Sequence, residues 1–190
     1  MKNIFSLKGK VVLLTGATGY LGAEMAKGFV FAGAEVLVNS RTEERALLLI
    51  EELRALGGRA EQAIFDVRSK ESIVDYFQRR GQTSLHVLVN NAYAGGGGTI
   101  ETSSDSDYAA AYEISLLSSH NLLTAALPSL RAAVGERGGA SVINIGSMYG
   151  VVSPDLRLYD SPESSNPPFY GAAKAALIHW TRYAACEFGH

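Results

Sequence analysis

The chain has 190 residues, 17 basic against 19 acidic side chains and a formal net charge of −2. This is the size of one domain, and 47% apolar residues can bury a sizeable core, so intrinsic disorder, which needs low hydrophobicity and high net charge, is excluded. The charge balance leaves no footprint for nucleic acid, the lone Cys186 cannot form an internal disulfide, and no apolar run reaches the ~18 residues of a membrane span.

Short apolar runs alternate with longer helix-like segments. The first run, Val11 to Leu14, follows a stretch from Met1 to Lys10 that carries lysines where a signal peptide needs apolar residues, so a cytoplasmic protein is expected. A glycine turn and a helix over 20–32 come next. The second run, Val36 to Val38, precedes a helix over 42–56, with Thr42 as N-cap and Glu43 and Glu44 in the first turn. The third run, Ala63 to Phe65, ends at Asp66 and leads to a helix over 69–80 that starts at Ser69. The fourth, Val87 to Val89, ends at Asn90-Asn91. A long helix over 105–127 stops at Pro128 and leads to the fifth run, Val142 to Ile145, which ends at Gly146-Ser147. A last helix spans 169–187. Four of the runs are nearly continuous, as in parallel strands buried on both faces. The alternation implies right-handed crossovers. The expected fold is α/β, a Rossmann-type doubly wound parallel sheet with five visible strands in a single domain.

Two loops interrupt this pattern. Gly95 to Gly98 follows the fourth run and reads as flexible. Residues 151–168 hold four of the chain's five prolines and read as irregular, at the strand ends where a substrate pocket is expected.

The turn Thr15-Gly16-Ala17-Thr18-Gly19-Tyr20-Leu21-Gly22 lies between the first strand and the first helix. Gly16 permits the tight turn, Gly19 lets the backbone approach a pyrophosphate, and Gly22 lets the helix pack closely on the strand. The helix start then offers unpaired N–H groups to phosphates. A glycine-rich turn with no ligand is the alternative, which the strand-before, helix-after context disfavours. After the second strand, Asn39-Ser40-Arg41 has no acid for a ribose 2′-hydroxyl and brings an arginine within reach of a 2′-phosphate. NADP(H) is therefore favoured and NAD(H) possible; a merely solvated Arg41 is the alternative.

Tyr170 and Lys174 stand at i and i+4, a phenol and an ammonium on one helix face. A free tyrosine, with a pKa near ~10, is a poor proton carrier at neutral pH, and a neighbouring ammonium stabilises its phenolate. The pair can act as a general acid or base. Alone it is weak, since a chain of this composition holds such a pair roughly 0.3 times by chance. Ser147, just past the fifth strand, either holds a substrate oxygen beside Tyr170 or is a structural serine.

Together these residues resemble the short-chain dehydrogenase/reductase family. The glycine turn is similar to its cofactor turn, Asp66-Val67 to its adenine-contacting pair, and Asn90-Asn91-Ala92 to its Asn-Asn-Ala-Gly motif. Ser147 and Tyr170-x-x-x-Lys174 are similar to its catalytic residues, and the order agrees across nearly the whole chain. The resemblance implies cofactor contacts from Gly16, Thr18, Gly19, Tyr20, Leu21, Arg41, Asp66, Val67, Asn91, Ala92, Tyr170 and Lys174. It implies that Tyr170 exchanges a proton with the oxygen of a small carbonyl or alcohol substrate. Ser147 would orient that oxygen, and Lys174 would lower the Tyr170 pKa and hold the nicotinamide ribose. Counting back from Pro128, the family's fourth catalytic residue, an asparagine, falls on Ser115. Tyr93 stands where the motif has its last glycine. The glycine spacing is closer to the family's extended, sugar-nucleotide branch. The long gap between Ser147 and Tyr170, with Asn-Pro-Pro ahead of the tyrosine, occurs in members that modify cell-surface sugars. The family continues beyond the last helix with further strands and a substrate lid, so the chain reads as truncated, its fifth strand left as an edge.

Two other readings stay open: a catalytically inert NADP-binding module, motivated by Ser115, Tyr93 and the missing end, and an assembly element that binds nothing. The family pairs the long helix and the Tyr170 helix with their copies, so a homodimer or homotetramer is expected, with Ala111, Ser115, Ser118 and Ser119 allowing close approach. His86, His120, His179 and His190 lack metal-ligand spacing, so no metal is expected. His86 reads as structural, Cys186 as a small buried residue, and Phe169, Trp180 and Tyr183 as core or subunit contact.

Overall fold

An apolar run flanked by helix-forming segments hides both of its faces by entering the middle of a parallel sheet. In the computed structural model, which describes residues 4–137 and 139–189, the elements follow that logic. They run β1 (Val11–Leu14), α1 (Tyr20–Phe31), β2 (Glu35–Ser40), α2 (Glu43–Ala55), β3 (Arg59–Ile64), α3 (Lys70–Arg80), β4 (Val87–Asn90), α4 (Asp105–Tyr112), α5 (Ser118–Arg137), β5 (Ser141–Asn144) and α6 (Pro168–Phe188). A π-helical turn, Glu113–Leu117, joins α4 to α5. The N-terminal reading of Met1 to Asn3 and the metal reading of His190 lie outside the described residues.

The chain packs as two units, one running through Ala92 with Asn121–Ile143, the other comprising Tyr93–His120 with the residues from Asn144 onward. The first carries the five-stranded sheet in the order β3-β2-β1-β4-β5. β1 pairs in parallel with β2 and β4, Val12 lying opposite both Val36 and Val87. The expected Rossmann-type α/β fold is present. The crevice where the strand order reverses lies between β1 and β4, so their carboxyl ends form the ligand-binding edge of such a sheet. His86 is buried, and its Nδ1 accepts from the Val11 amide at 3.1 Å while its carbonyl accepts from the Ser141 amide at 2.8 Å, tying β5 on as an edge strand.

Some expectations need correction. β3 begins at Arg59, ahead of the apolar run; as an edge strand it buries Ala60 and Ala63 and leaves Glu61 and Gln62 to solvent. The long helix does not stop at Pro128 but runs through it to Arg137. Leu122, Ala126, Leu130 and Ala133 form one buried stripe at helical spacing, and burial beyond the proline outweighs the hydrogen bond that its ring removes. Ser69 caps α3, its Oγ accepting from the Ser72 amide at 3.0 Å, whereas Thr42 occupies the N-cap of α2 without a side-chain bond.

In the second unit, a Ser104–Asp107 capping box starts α4, and Ala111, Phe169 and Ala173 join α4 to α6, with Tyr170 packed against them. Ala111, Ser115, Ser118 and Ser119 are at most 4% exposed, so this stripe faces the chain's own interior and cannot be the close approach to a copy. Ser118 and Ser119 turn their hydroxyls onto the carbonyls of Ile114 and Ser115 instead. Tyr112 and Leu117 are the residues of this stretch turned outward. Cys186 is exposed, not buried, because the last turns of α6 lie beyond its packed residues, of which Leu177 is the last that is buried; Tyr183 is exposed with it. Gly95 and Gly97 serve close packing as much as freedom, since a methyl at Gly95 would strike the Tyr93 hydroxyl and one at Gly97 the Glu163 carbonyl. Among the described residues, no helix is long and apolar enough to cross a membrane, and no group of three His, Cys, Asp or Glu is placed to hold a metal.

The continuation of α5 past Pro128 is testable. Leu130→Ala should cost about 2–5 kcal/mol of stability, as for a buried leucine in a packed helix, while the exposed Val134→Ala should change it by under about 0.5 kcal/mol. Urea denaturation of both variants checks this.

Candidate functional site

The dinucleotide-type turn grows out of β1 by necessity of its side chains. Gly16 adopts φ +61°, a left-handed conformation that disfavours other residues, and a Cβ there would come within 2.9 Å of the Ala92 Cα. A methyl on Gly22 would overlap the Gly16 carbonyl, so the first turn of α1 can sit on the loop only with glycine. Thr15 Oγ1 donates to the Val89 carbonyl and accepts from the Asn91 and Ala92 amides, while Asn91 Nδ2 donates to the Thr15 and Gly16 carbonyls at 3.0 and 3.3 Å. This clamp joins the ends of β1 and β4 at the crevice. α1 begins after Gly19 with no side-chain cap and no acid in its first turn, and Tyr20 and Leu21 are exposed. An uncapped helix start with a glycine cradle is chemically suited to an anionic phosphate. Thr18 is half-buried within the same turn.

Asn39, absent from the residues singled out by sequence, holds this turn in place. It is 3% exposed at the end of β2; its Nδ2 donates to the Ala63 and Phe65 carbonyls at 3.0 and 3.1 Å, and its Oδ1 accepts from the Gly16 amide at 3.4 Å. Two carbonyl acceptors orient the amide, leaving its oxygen for the turn. A buried amide closing an apolar run was the available signal. Two residues on, Arg41 is exposed, and Ser40 between them accepts from the Thr42 amide rather than placing a carboxylate there. Beyond β3, Asp66 accepts from the Arg68 amide at 2.9 Å, and Val67 is buried.

The second unit gathers Ser115, Ser147, Tyr170 and Lys174. α6 opens on Pro168, which needs no amide partner at a helix start. Lys174 is 4% exposed; its Nζ donates to the Ile145 carbonyl at 2.6 Å and lies 5.6 Å from the centroids of both the Tyr170 and Tyr93 rings. Burial pushes its ammonium below the usual lysine pKa. Ser147 lies on a segment that packs along the same helix. A methyl on Gly146 would touch Ile178, and one on Gly150 would meet the backbone of Lys174 and Ala175. The Ser147 hydroxyl accepts from the Tyr149 amide at 3.2 Å, and the Tyr149 and Tyr159 hydroxyls pair at 2.8 Å. Ser115 is buried in the π-helical turn, its hydroxyl without a partner among the described residues. π-Helical turns recur at functional positions. Tyr93 packs its ring edge-on against Tyr170, centroids 4.8 Å apart. Burial, reinforced by Tyr170, pushes the Tyr93 phenol up to about 12.

An open parallel sheet with a glycine turn at its crevice defines a protein of the dinucleotide-binding, Rossmann-type fold class. The family comparison is specific: the profile of the short chain dehydrogenase family matches residues 10–190. The chain belongs to the short-chain dehydrogenase family. It is 34% identical over 190 residues to an uncharacterized oxidoreductase of Mycobacterium tuberculosis (strain CDC 1551 / Oshkosh), the match covering 97% of this chain and 66% of the relative. The chain thus spans about two thirds of the length of the curated relatives it matches. Among solved structures it is similar to Pseudomonas aeruginosa RhlG in an active-site complex with NADP, with TM-score 0.87 and 29% identity, over 98% of this chain and 70% of that one. It is also similar to a 7α-hydroxysteroid dehydrogenase complexed with NADH and 7-oxo glycochenodeoxycholic acid, with TM-score 0.81 and 27% identity, over 97% and 68%.

The two glycines of α1 should respond in opposite directions. Gly22→Ala should destabilise the fold by about 1–3 kcal/mol through overlap with the turn. Gly28→Ala, on the same helix with open space around it, should stabilise by about 0.5–1 kcal/mol. Thermal unfolding of the pair measures both signs.

Proposed function

We propose that the chain carries the reaction centre of an NAD(P)-dependent oxidoreductase that interconverts a carbonyl and a secondary alcohol, with Tyr170 as general acid and base. The carrying observation is the buried Lys174, fixed on the Ile145 carbonyl beside the Tyr170 ring, in a chain whose glycine cradle and uncapped helix start fit a dinucleotide. Bound NADP(H) or NAD(H) supplies or takes up the hydride.

The chain's own residues divide the remaining work. In reduction, Tyr170 gives its phenolic proton to the carbonyl oxygen as the carbon gains hydride; in oxidation it takes the alcohol proton back. The Lys174 ammonium lies 5.6 Å from the centroid of the Tyr170 ring. Ser147 orients the substrate oxygen. Ser115 stands at the relay position, its unpartnered hydroxyl available to hold a water. The turn from Gly16 through Thr18, Gly19, Tyr20 and Leu21 cradles the pyrophosphate at the uncapped start of α1, the Gly16 and Gly19 amides being engaged within the protein, with Asn91 and Ala92 bracing the turn. Asp66 and Val67 serve the adenine end, Lys174 the nicotinamide ribose, and Arg41 the 2′-phosphate that favours NADP(H). The NADP and NADH complexes of the two similar structures support this assignment and keep NAD(H) as the second cofactor. Ser115 and Tyr93, two of the departures from the family pattern, favour the alternative of a catalytically inert binding module.

Steady-state reduction of small ketones and keto-sugars, with cofactor binding measured alongside, separates the two. Tyr170→Phe keeps the ring and should lower turnover by ~10²–10⁴-fold with cofactor affinity nearly unchanged. Full retention of activity removes Tyr170 as the proton donor, and a wild type that binds NADPH but reduces no substrate supports the inert module. Titration of NADPH and NADH tests the cofactor assignment. Wild type should prefer NADPH, and Arg41→Asp should reverse that order.

A further inference from the structure

The residue at the family's last motif glycine is a large ring, and this ring touches both members of the proton-handling pair. Tyr93 meets Tyr170 edge-on with centroids 4.8 Å apart and an interplanar angle of 77°, a favourable aromatic arrangement. The Lys174 ammonium has three donors, of which one is used on the Ile145 carbonyl. Its other neighbours include two aromatic rings with centroids equally distant at 5.6 Å, within the range of cation–π attraction. The Tyr93 hydroxyl, by contrast, is buried without a hydrogen-bond partner among the described residues, and the Gly95 backbone lies against it. The contacts to the pair are therefore made by the ring, and its oxygen is left idle.

We propose that Tyr93 is a positioning residue whose ring, not its hydroxyl, sets the plane of Tyr170 and adds a second aromatic ring beside the Lys174 ammonium. The proposal rests on the reading of Tyr170 as proton donor. It gives the departure at position 93 a purpose. A glycine there would leave Tyr170 without its edge-on neighbour and Lys174 with one aromatic ring. It also accounts for Gly95, where any Cβ would meet the phenol at 2.5 Å. Burial pushes the Tyr93 phenol up to about 12.

The test compares Tyr93→Phe, which keeps the ring, with Tyr93→Leu, which removes it; Gly95→Ala, which displaces the ring without removing it, is the second disruptive variant should Tyr93→Leu fail to fold. Two readouts are taken. Ring resonances of ¹³C-tyrosine-labelled protein, with Tyr170 assigned through Tyr170→Phe, should shift in Tyr93→Leu and Gly95→Ala and stay close to wild type in Tyr93→Phe. In turnover, the disruptive variants should lose about 10–100-fold in kcat with KM for NADPH nearly unchanged, as for a misplaced reacting group, and Tyr93→Phe should match wild type. Wild-type kinetics in Tyr93→Leu, or a Tyr93→Phe as impaired as Tyr93→Leu, overturns the proposal. If wild type itself turns over no substrate, the reaction reading fails on its own, and unmoved Tyr170 resonances in Tyr93→Leu then overturn the positioning role separately.

Discussion

An ammonium held almost wholly out of water is the constraint around which the second unit is arranged. Desolvation of Lys174 opposes its charge, and the surroundings answer with a carbonyl and two aromatic rings. The carbonyl comes from Ile145, just beyond the last sheet strand, so that segment must run close along α6. It can do so because Gly150 and Gly171 carry no side chains where the two backbones meet. The same approach carries Ser147 to the helix that bears Tyr170. One buried charge thus links strand end, turn, helix and aromatic pair.

The first unit is governed by a different shortage, that of space at the crevice between β1 and β4. Gly16 and Gly22 leave out side chains where the loop, the helix and the end of β4 converge. Thr15 and Asn91 then use their polar atoms to close the gap between strand ends, and Asn39 reaches from β2 to both the turn and the end of β3. The turn is thus held by side chains from the ends of three strands.

The departures from the family pattern show how one constellation tolerates change. Ser115, where the family pattern leads one to expect an asparagine, sits in a π-helical turn with its hydroxyl unengaged. A tyrosine replaces a glycine, but Gly95 yields the room it needs.

Much of this was legible in the sequence because it is local. Strand runs, the Ser69 cap, the glycine turn and the Tyr170–Lys174 spacing follow from the strand and helix periods and from residues that few backbone conformations accept. The order of those motifs sufficed for family and fold class. Other features depended on what each residue packs against. Pro128 looked like a helix end, yet a buried stripe carries α5 through it. The small residues from Ala111 to Ser119 looked like a surface for a copy, yet they face inward. Asn39 gave no motif, because its role exists only once β3 and the turn are placed beside it. Tyr93 read as a departure in a loop until its ring was found against Tyr170. Periodicity and turn chemistry are properties of neighbours along the chain, whereas burial and ring contact belong to neighbours in space, and only the tertiary structure assigns those.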